Sequence, residues 1–249
     1  MSTFAHLSET TCNAPIKLYP LLRIGGFVPL TTLDYPDHLS CVIFCQGCAW
    51  RCRYCHNSDL IPARADNELA WDSIISFLER RQGLLEGVVF SGGEPTLQRG
   101  LLKAIEQVKS MGYLVGLHSA GINPRQFKQI VNIVDWVGFD IKALPEDHQN
   151  TTCVAGSGDA NWLSLQYLLD SQTDYEVRTT VHWHLMSVEQ LKQIGDRLRA
   201  KGVERFVVQL ARSQRVLDKD LPAVYLRADQ KALWDYFQAL FPTFILRDA

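Results

Sequence analysis

Residues 39–55 read Leu39-Ser-Cys-Val-Ile-Phe-Cys45-Gln-Gly-Cys48-Ala-Trp-Arg-Cys52-Arg-Tyr-Cys55. Leu39–Cys45 is a short run, apolar on both faces, which is the pattern of a parallel strand covered on either side. The cysteine-rich loop follows at the carboxyl end of that strand. Outward from it, Gly87–Ser91, Tyr113–His118, Val134–Lys142, Tyr175–His182 and Arg205–Leu210 read as further strands. Helical patterns alternate with them over Glu68–Arg80, Leu97–Met111, Pro124–Ile133, Asn161–Asp170, Val188–Lys201 and Asp229–Leu240, and Thr243–Leu246 reads as a short closing strand. Repeated βα units predict an α/β protein with a parallel sheet and crossover helices. Periodicity alone fits an open, partial barrel or a doubly wound sheet, and both place ligands at the carboxyl ends of the strands. The expectation is a partial (β/α)6 TIM-like barrel in a single domain.

At 249 residues the chain is long enough for one such domain, and no Pro-, Gly- or Ser-rich linker divides it. Residues 1–22 read as a loosely ordered extension and 23–249 as the domain. Apolar residues are 47% and charged residues 21%, with a formal net charge of −2. That balance gives no basic field for nucleic acid. The first residues lack the features of a secretory signal, and no apolar run is long enough to span a bilayer. A cytosolic protein with no membrane or nucleic-acid partner is expected. Of seven cysteines, five crowd between Cys41 and Cys55. In a reducing compartment such crowding points to metal binding or catalysis rather than disulfides.

The spacing Cys48, Cys52, Cys55 is C-x3-C-x2-C. Three thiolates on one short loop can wrap a corner of a cubane cluster, each on a different iron, leaving one iron open to a substrate or cofactor. The competing arrangement is a zinc site made of two C-x2-C pairs, Cys45 with Cys48 and Cys52 with Cys55. Cys45, however, belongs to the strand pattern, and structural zinc sites usually separate their pairs by a longer loop. With Tyr54 before the last cysteine, the segment resembles the signature of the radical S-adenosylmethionine (SAM) superfamily. The resemblance implies one four-iron–four-sulfur cluster on Cys48, Cys52 and Cys55, SAM on the open iron, and Tyr54 against its adenine.

Other segments keep the same company. Ser91-Gly92-Gly93-Glu94-Pro95 ends the second strand, where paired glycines let a ligand approach the backbone. It resembles the family's Gly-Gly-Glu motif, which receives the methionine amino group of SAM; a plain strand-to-helix turn is the other reading. On the fourth strand Asp140 and Lys142 share one face. They form a mutual salt bridge or, by resemblance to an Asp-x-Lys pair of activating enzymes, contact the SAM ribose and carboxylate. Arg178, on the fifth strand, suits a carboxylate. His182 and His184 read as structural, hydrogen-bonded histidines. Ser119 and Gly121 match a family Asp-Thr-Asn-Gly segment, from which His118 and Ala120 depart.

Ile24-Gly25-Gly26, Thr31-Thr-Leu-Asp34-Tyr35-Pro36, Gly47-Cys48 and Cys55-His56-Asn57 resemble the opening of glycyl-radical-enzyme activating enzymes. The likeness is nearest to those serving the anaerobic ribonucleoside-triphosphate reductase. It implies an oxidoreductase that cleaves SAM reductively to a 5′-deoxyadenosyl radical and generates a glycyl radical on a partner enzyme. A reduced flavodoxin or ferredoxin would be the electron donor, and no catalytic residue is required beyond the cluster and SAM. With Cys12, Cys41 and Cys153 scattered, a single cluster is expected, and Cys41 and Cys45 fit a buried core role. The rival functions are another radical SAM reaction, tailoring a small heterocycle or a peptide, and a non-catalytic zinc module.

Overall fold

The computed structural model describes residues 22–211, 216–222 and 230–247. Eight strands form one sheet in sequence order: β1 (Ile24–Thr31), β2 (Ser40–Cys45), β3 (Gly87–Gly92), β4 (Leu114–Ser119), β5 (Trp136–Asp140), β6 (Asp174–Val181), β7 (Arg205–Leu210) and β8 (Thr243–Arg247). β1 runs antiparallel to β2, and every later pairing is parallel. A doubly wound sheet would reverse its strand order part-way. This order never reverses, so the α/β sheet curls in one sense as a partial TIM-like barrel whose edges are β1 and β8.

Crossovers carry α1 (Trp71–Glu79), α2 (Leu101–Ser110), α3 (Pro124–Ile130), α4 (His148–Thr152), α5 (Ser157–Leu169) and α6 (Val188–Ala200), and α7 (Lys231–Leu240) precedes β8. Asn123 and Ser187 cap α3 and α6 with their side chains, the latter in a capping box with Gln190. Alternation sorts the strand residues. Cys41, Ile43, Cys45, Phe90, Leu117, Phe139, Val177 and Phe206 point outward into the main core beneath the helices. Each such large side chain contributes about 1.5–3 kcal/mol by burial. The opposite alternation fills the barrel interior, where Tyr35, Val42, Val89 and Trp136 form a small plug. Cys41 and Cys45 are fully buried, as core residues should be.

Several boundaries differ from the sequence reading. β1 has no strand pattern in the sequence, because it is an edge strand with two register shifts, two glycines and Pro29. β5 ends at Asp140, leaving Lys142 just beyond the strand. α4 was not foreseen at all. Of the expected 1–22 extension only Leu22 is described, and it packs into the main core. The start of the expected 229–240 helix, residue 229, also lies outside the described residues.

Candidate active site

The cysteine loop leaves the carboxyl end of β2 and is held by backbone hydrogen bonds on three sides. Gly47 and Cys48 donate to the carbonyls of Leu60 and Ile61, at 2.8 and 3.1 Å. Arg51 and Arg53 donate to Thr152 and Thr151 of α4, at 2.9 and 3.0 Å. The carbonyls of Arg53 and Cys55 accept from Asp218 and Leu217, at 3.0 and 2.9 Å, and the Arg53 side chain pairs with Asp218 at 2.7 Å. The loop is therefore held in place by the chain's own backbone and by one ion pair.

Cys48, Cys52 and Cys55 are all partly buried. Burial pushes the Cys48 thiol up to about 12 and the Cys52 thiol up to about 11, and raises that of Cys55. The other two thiols add to the rise at Cys48, so the three are close enough to sense each other. Such thiols become thiolates only beside strong positive charge, which a metal cluster provides. Among the described residues no three of His, Cys, Asp or Glu converge closely enough for one ion. A cubane asks for a wider spread, since each thiolate takes a different iron. The donor set and its spacing fit that group.

Gly92 and Gly93 make a close approach, but the partner is the chain itself. Gly92 has φ +116°, and a Cβ there would lie 2.3 Å from the nitrogen of Cys45. A Cβ on Gly93 would lie 2.3 Å from the carbonyl oxygen of Gly47. The Gly93 and Glu94 N–H groups donate to Cys45 and Gly47 at 2.9 and 3.0 Å. These glycines let the end of β3 lie flush against the root of the cysteine loop.

Glu94 is buried, and its carboxylate accepts four hydrogen bonds. Oε1 takes the Thr96 N–H at 3.0 Å and the hydroxyls of Thr96 and Ser119 at 2.6 Å each; Oε2 takes the Ala120 N–H at 3.0 Å. The Ser119 oxygen also accepts from the Gly121 N–H at 2.8 Å. Both side chains are engaged in tying β3 to β4.

Across the barrel, Asp140 sits between two cations. Arg178 Nε donates to it at 2.9 Å and Lys142 Nζ at 3.0 Å. Arg178 also donates to the Gly138 carbonyl at 2.9 Å. Burial works against ionising Asp140, but Arg178 and then Lys142 outweigh it and hold the carboxyl well below the usual range. Burial likewise lowers Lys142, and Asp140 more than reverses this. The cluster carries one surplus positive charge. Tyr54 projects from the cysteine loop toward Lys142 and packs with Ala211 and Leu221. Among the described residues its buried hydroxyl has no hydrogen-bond partner, a polar atom left for a ligand to meet.

Of the two readings of Asp140 and Lys142, the mutual salt bridge is present, extended by Arg178. His182 is buried and His184 exposed, in keeping with a structural role for the first. His118 Nε2 donates to the Asp34 carbonyl at 2.8 Å; burial, with Arg178 adding, pushes its ring down to about 3, so it is neutral. Sequence reasoning missed Asn161, whose amide donates to the carbonyls of Ala120 and Asp140 at 2.8 and 2.9 Å. The helix that carries it, Ser157–Leu169, mixes polar and apolar residues, so Asn161 does not stand out in the sequence. It also missed 216–222, which covers the cysteine loop.

A model of the radical SAM superfamily matches residues 42–208. A protein of Methanocaldococcus jannaschii named as a glycyl-radical enzyme activating enzyme is 25% identical over 206 residues, covering 79% of this chain and 83% of that one. The pyruvate formate-lyase-activating enzyme of Clostridium pasteurianum is 31% identical over 141 residues, covering 55% of this chain and 58% of that one. Among solved structures, Streptococcus suis SuiB bound to S-adenosylmethionine matches with a TM-score of 0.62 and 14% identity, over 82% of this chain. This chain spans about half, 48%, of SuiB, and a likeness at that identity concerns the fold.

Proposed function

The chain belongs to the radical SAM superfamily, and we propose that within it the protein is a glycyl-radical-enzyme activating enzyme. The observation that carries this reading is the similarity to a protein named as such an activating enzyme, which extends over 79% of this chain and 83% of that relative. The family uses a four-iron–four-sulfur cluster and SAM.

In this reading Cys48, Cys52 and Cys55 hold the cluster. Bound there and reduced, such a cluster would supply the one electron needed to cleave SAM to methionine and a 5′-deoxyadenosyl radical, which would take a hydrogen atom from a partner's backbone glycine. The chain's own residues bind and orient. Tyr54 offers a ring face to adenine. Asp140, kept ionised by its neighbours, accepts from ribose hydroxyls, and the surplus charge of Lys142 and Arg178 meets the SAM carboxylate. Gly92 and Gly93 shape the amino end of the SAM site, and Glu94 and Ser119 act there through the backbone they hold. No side chain is asked to move a proton, in keeping with an oxidoreductase whose chemistry lies in its cofactors.

For the partner we favour the anaerobic ribonucleoside-triphosphate reductase, on the resemblance of residues 24–57 to its activating proteins. A flavodoxin or ferredoxin in the cytoplasm would then be the electron donor. The test is an anaerobic reconstitution with SAM, dithionite and that reductase, followed by electron paramagnetic resonance. A glycyl doublet on the reductase, absent with Cys52→Ala, is expected. Deoxyadenosine released with no doublet would rule out this partner under those conditions while leaving the radical SAM chemistry intact.

A further inference from the structure

One buried histidine has no place in the chemistry above. His148 opens α4, is fully buried, and has both ring nitrogens engaged inside the protein. Nε2 lies 3.0 Å from Asn161 Oδ1, and Nδ1 lies 2.7 Å from Ser157 Oγ. Asn161 sets the direction of the first bond. Its Nδ2 already donates to the carbonyls of Ala120 and Asp140, so its Oδ1 is an acceptor. Nε2 therefore carries the proton. Burial, with Lys142 adding to it, pushes the ring down to about 4, so Nδ1 is bare and accepts from the Ser157 hydroxyl. Ser157 Oγ in turn lies 2.7 Å from Thr152 Oγ1.

Two sets of contacts meet at this ring. On one side, Asn161 bridges the ends of β4 and β5, at the backbone of Asp140 itself. On the other, the α4 carbonyls of Thr151 and Thr152 receive Arg53 and Arg51 of the cysteine loop. Trp50, from the same loop, packs edge-on against the imidazole with ring centroids 4.9 Å apart. The ring thus stands between the loop that carries Cys48, Cys52 and Cys55 and the strand end that carries Asp140. We propose that His148 is a positioning residue, setting the cysteine loop against the Asp140–Lys142–Arg178 cluster through its Nε2–H bond to Asn161. The inference rests on reading those two groups as the holders of cluster and SAM, but not on the identity of any partner enzyme.

Amide substitutions separate the two edges of the ring. A Gln amide nitrogen reaches where Nε2 stood, whereas Asn reaches only as far as Nδ1. Wild type, His148→Gln and His148→Asn would be reconstituted anaerobically with no partner present. Iron and sulfide content, thermal midpoint, SAM affinity and the SAM-induced change in the resonance of the reduced cluster would then be measured. His148→Gln is expected to bind SAM within about two-fold of wild type. His148→Asn is expected to load as much iron yet bind SAM roughly ten-fold more weakly, the effect of one lost buried hydrogen bond, with a diminished resonance change. A merely structural histidine would lower the midpoint of both variants and leave their SAM affinities equal, and that equality would overturn the proposal. If His148→Asn does not fold, Asn161→Ser severs the same bond with the imidazole intact, and unchanged SAM affinity there would overturn it equally. A wild type that takes up no iron and sulfide would refute the site and this proposal with it.

Discussion

The Lys142 ammonium lies 5.9 Å from the centroid of the Tyr54 ring while donating to Asp140 at 3.0 Å. One side chain thus links the cysteine loop to the charged end of β5. The ring contact is at the edge of cation–π range and contributes about 0.5–2 kcal/mol. The ion pair is the stronger of the two, because a buried carboxylate deprived of a partner is costly.

Lys142→Met removes both links and the surplus positive charge. We expect SAM binding to weaken by about 2–3 kcal/mol, or roughly two orders of magnitude. Iron content should stay at the wild-type level, since no backbone support of the loop is touched. Equilibrium binding of SAM to the reconstituted variant checks this; wild-type affinity would remove Lys142 from the SAM site.

Gly93→Ala places a methyl group 2.3 Å from the Gly47 carbonyl oxygen. The neighbour is backbone and cannot rotate away, so the loop root must shift. A loss of about 1–3 kcal/mol in urea unfolding is expected, together with reduced iron uptake. Full stability and full iron loading would show that the packing of β3 against the loop root is looser than the geometry implies.

Asp140 couples the site to pH. Its carboxyl titrates lower in the folded protein than in the unfolded chain, so acid unfolding takes up a proton there. The stability it contributes is fully present above the ordinary aspartate range and is lost as pH falls toward the depressed folded value. Asp140→Asn should therefore lower the urea midpoint at neutral pH and flatten its decline through the acid range. A variant whose acid limb is as steep as wild type would place the pH sensitivity elsewhere.

Arg247 grips Glu176 with two bonds, at 2.6 and 2.9 Å, across the barrel interior. This ties the last strand to β6. Arg247→Met strands a carboxylate that is only 1% exposed. A cost of about 3 kcal/mol is expected, at the low end for buried pairs because Arg247 itself is partly exposed. Adding Glu176→Gln should recover part of it, as a double-mutant cycle in chemical denaturation would measure.

Much of the site was legible in the sequence for particular reasons. The thiols fall within eight residues of one another, from Cys48 to Cys55, at the end of an apolar run, so spacing and strand register together locate them. Asp140 and Lys142 are two residues apart, so alternation suggests a shared face, although Lys142 lies just past the end of β5 and reaches Asp140 by its ion pair. The roles of Gly92, Gly93 and Glu94 were less legible. Their sequence suggests close approach to the backbone, and the space a Cβ would take at each is filled by the backbone of Cys45 and Gly47, contacts some 46 residues away in the chain. His148 and Asn161 carried almost no signal, since a polar residue within a helix announces neither its burial nor its partners.

The sequence by itself determined the alternation of strands and helices, the end of the sheet from which the cysteine loop leaves, and the family, because periodicity and short spacings are local properties of the chain. Only the tertiary structure decided that the sheet curls in one sense, that Arg178 from β6 reaches Asp140 on β5, and that α4 and residues 216–222 clamp the cysteine loop. Those relationships depend on strand register and on which distant backbone groups are left to pair, and both are settled only when the whole sheet has curled around its interior.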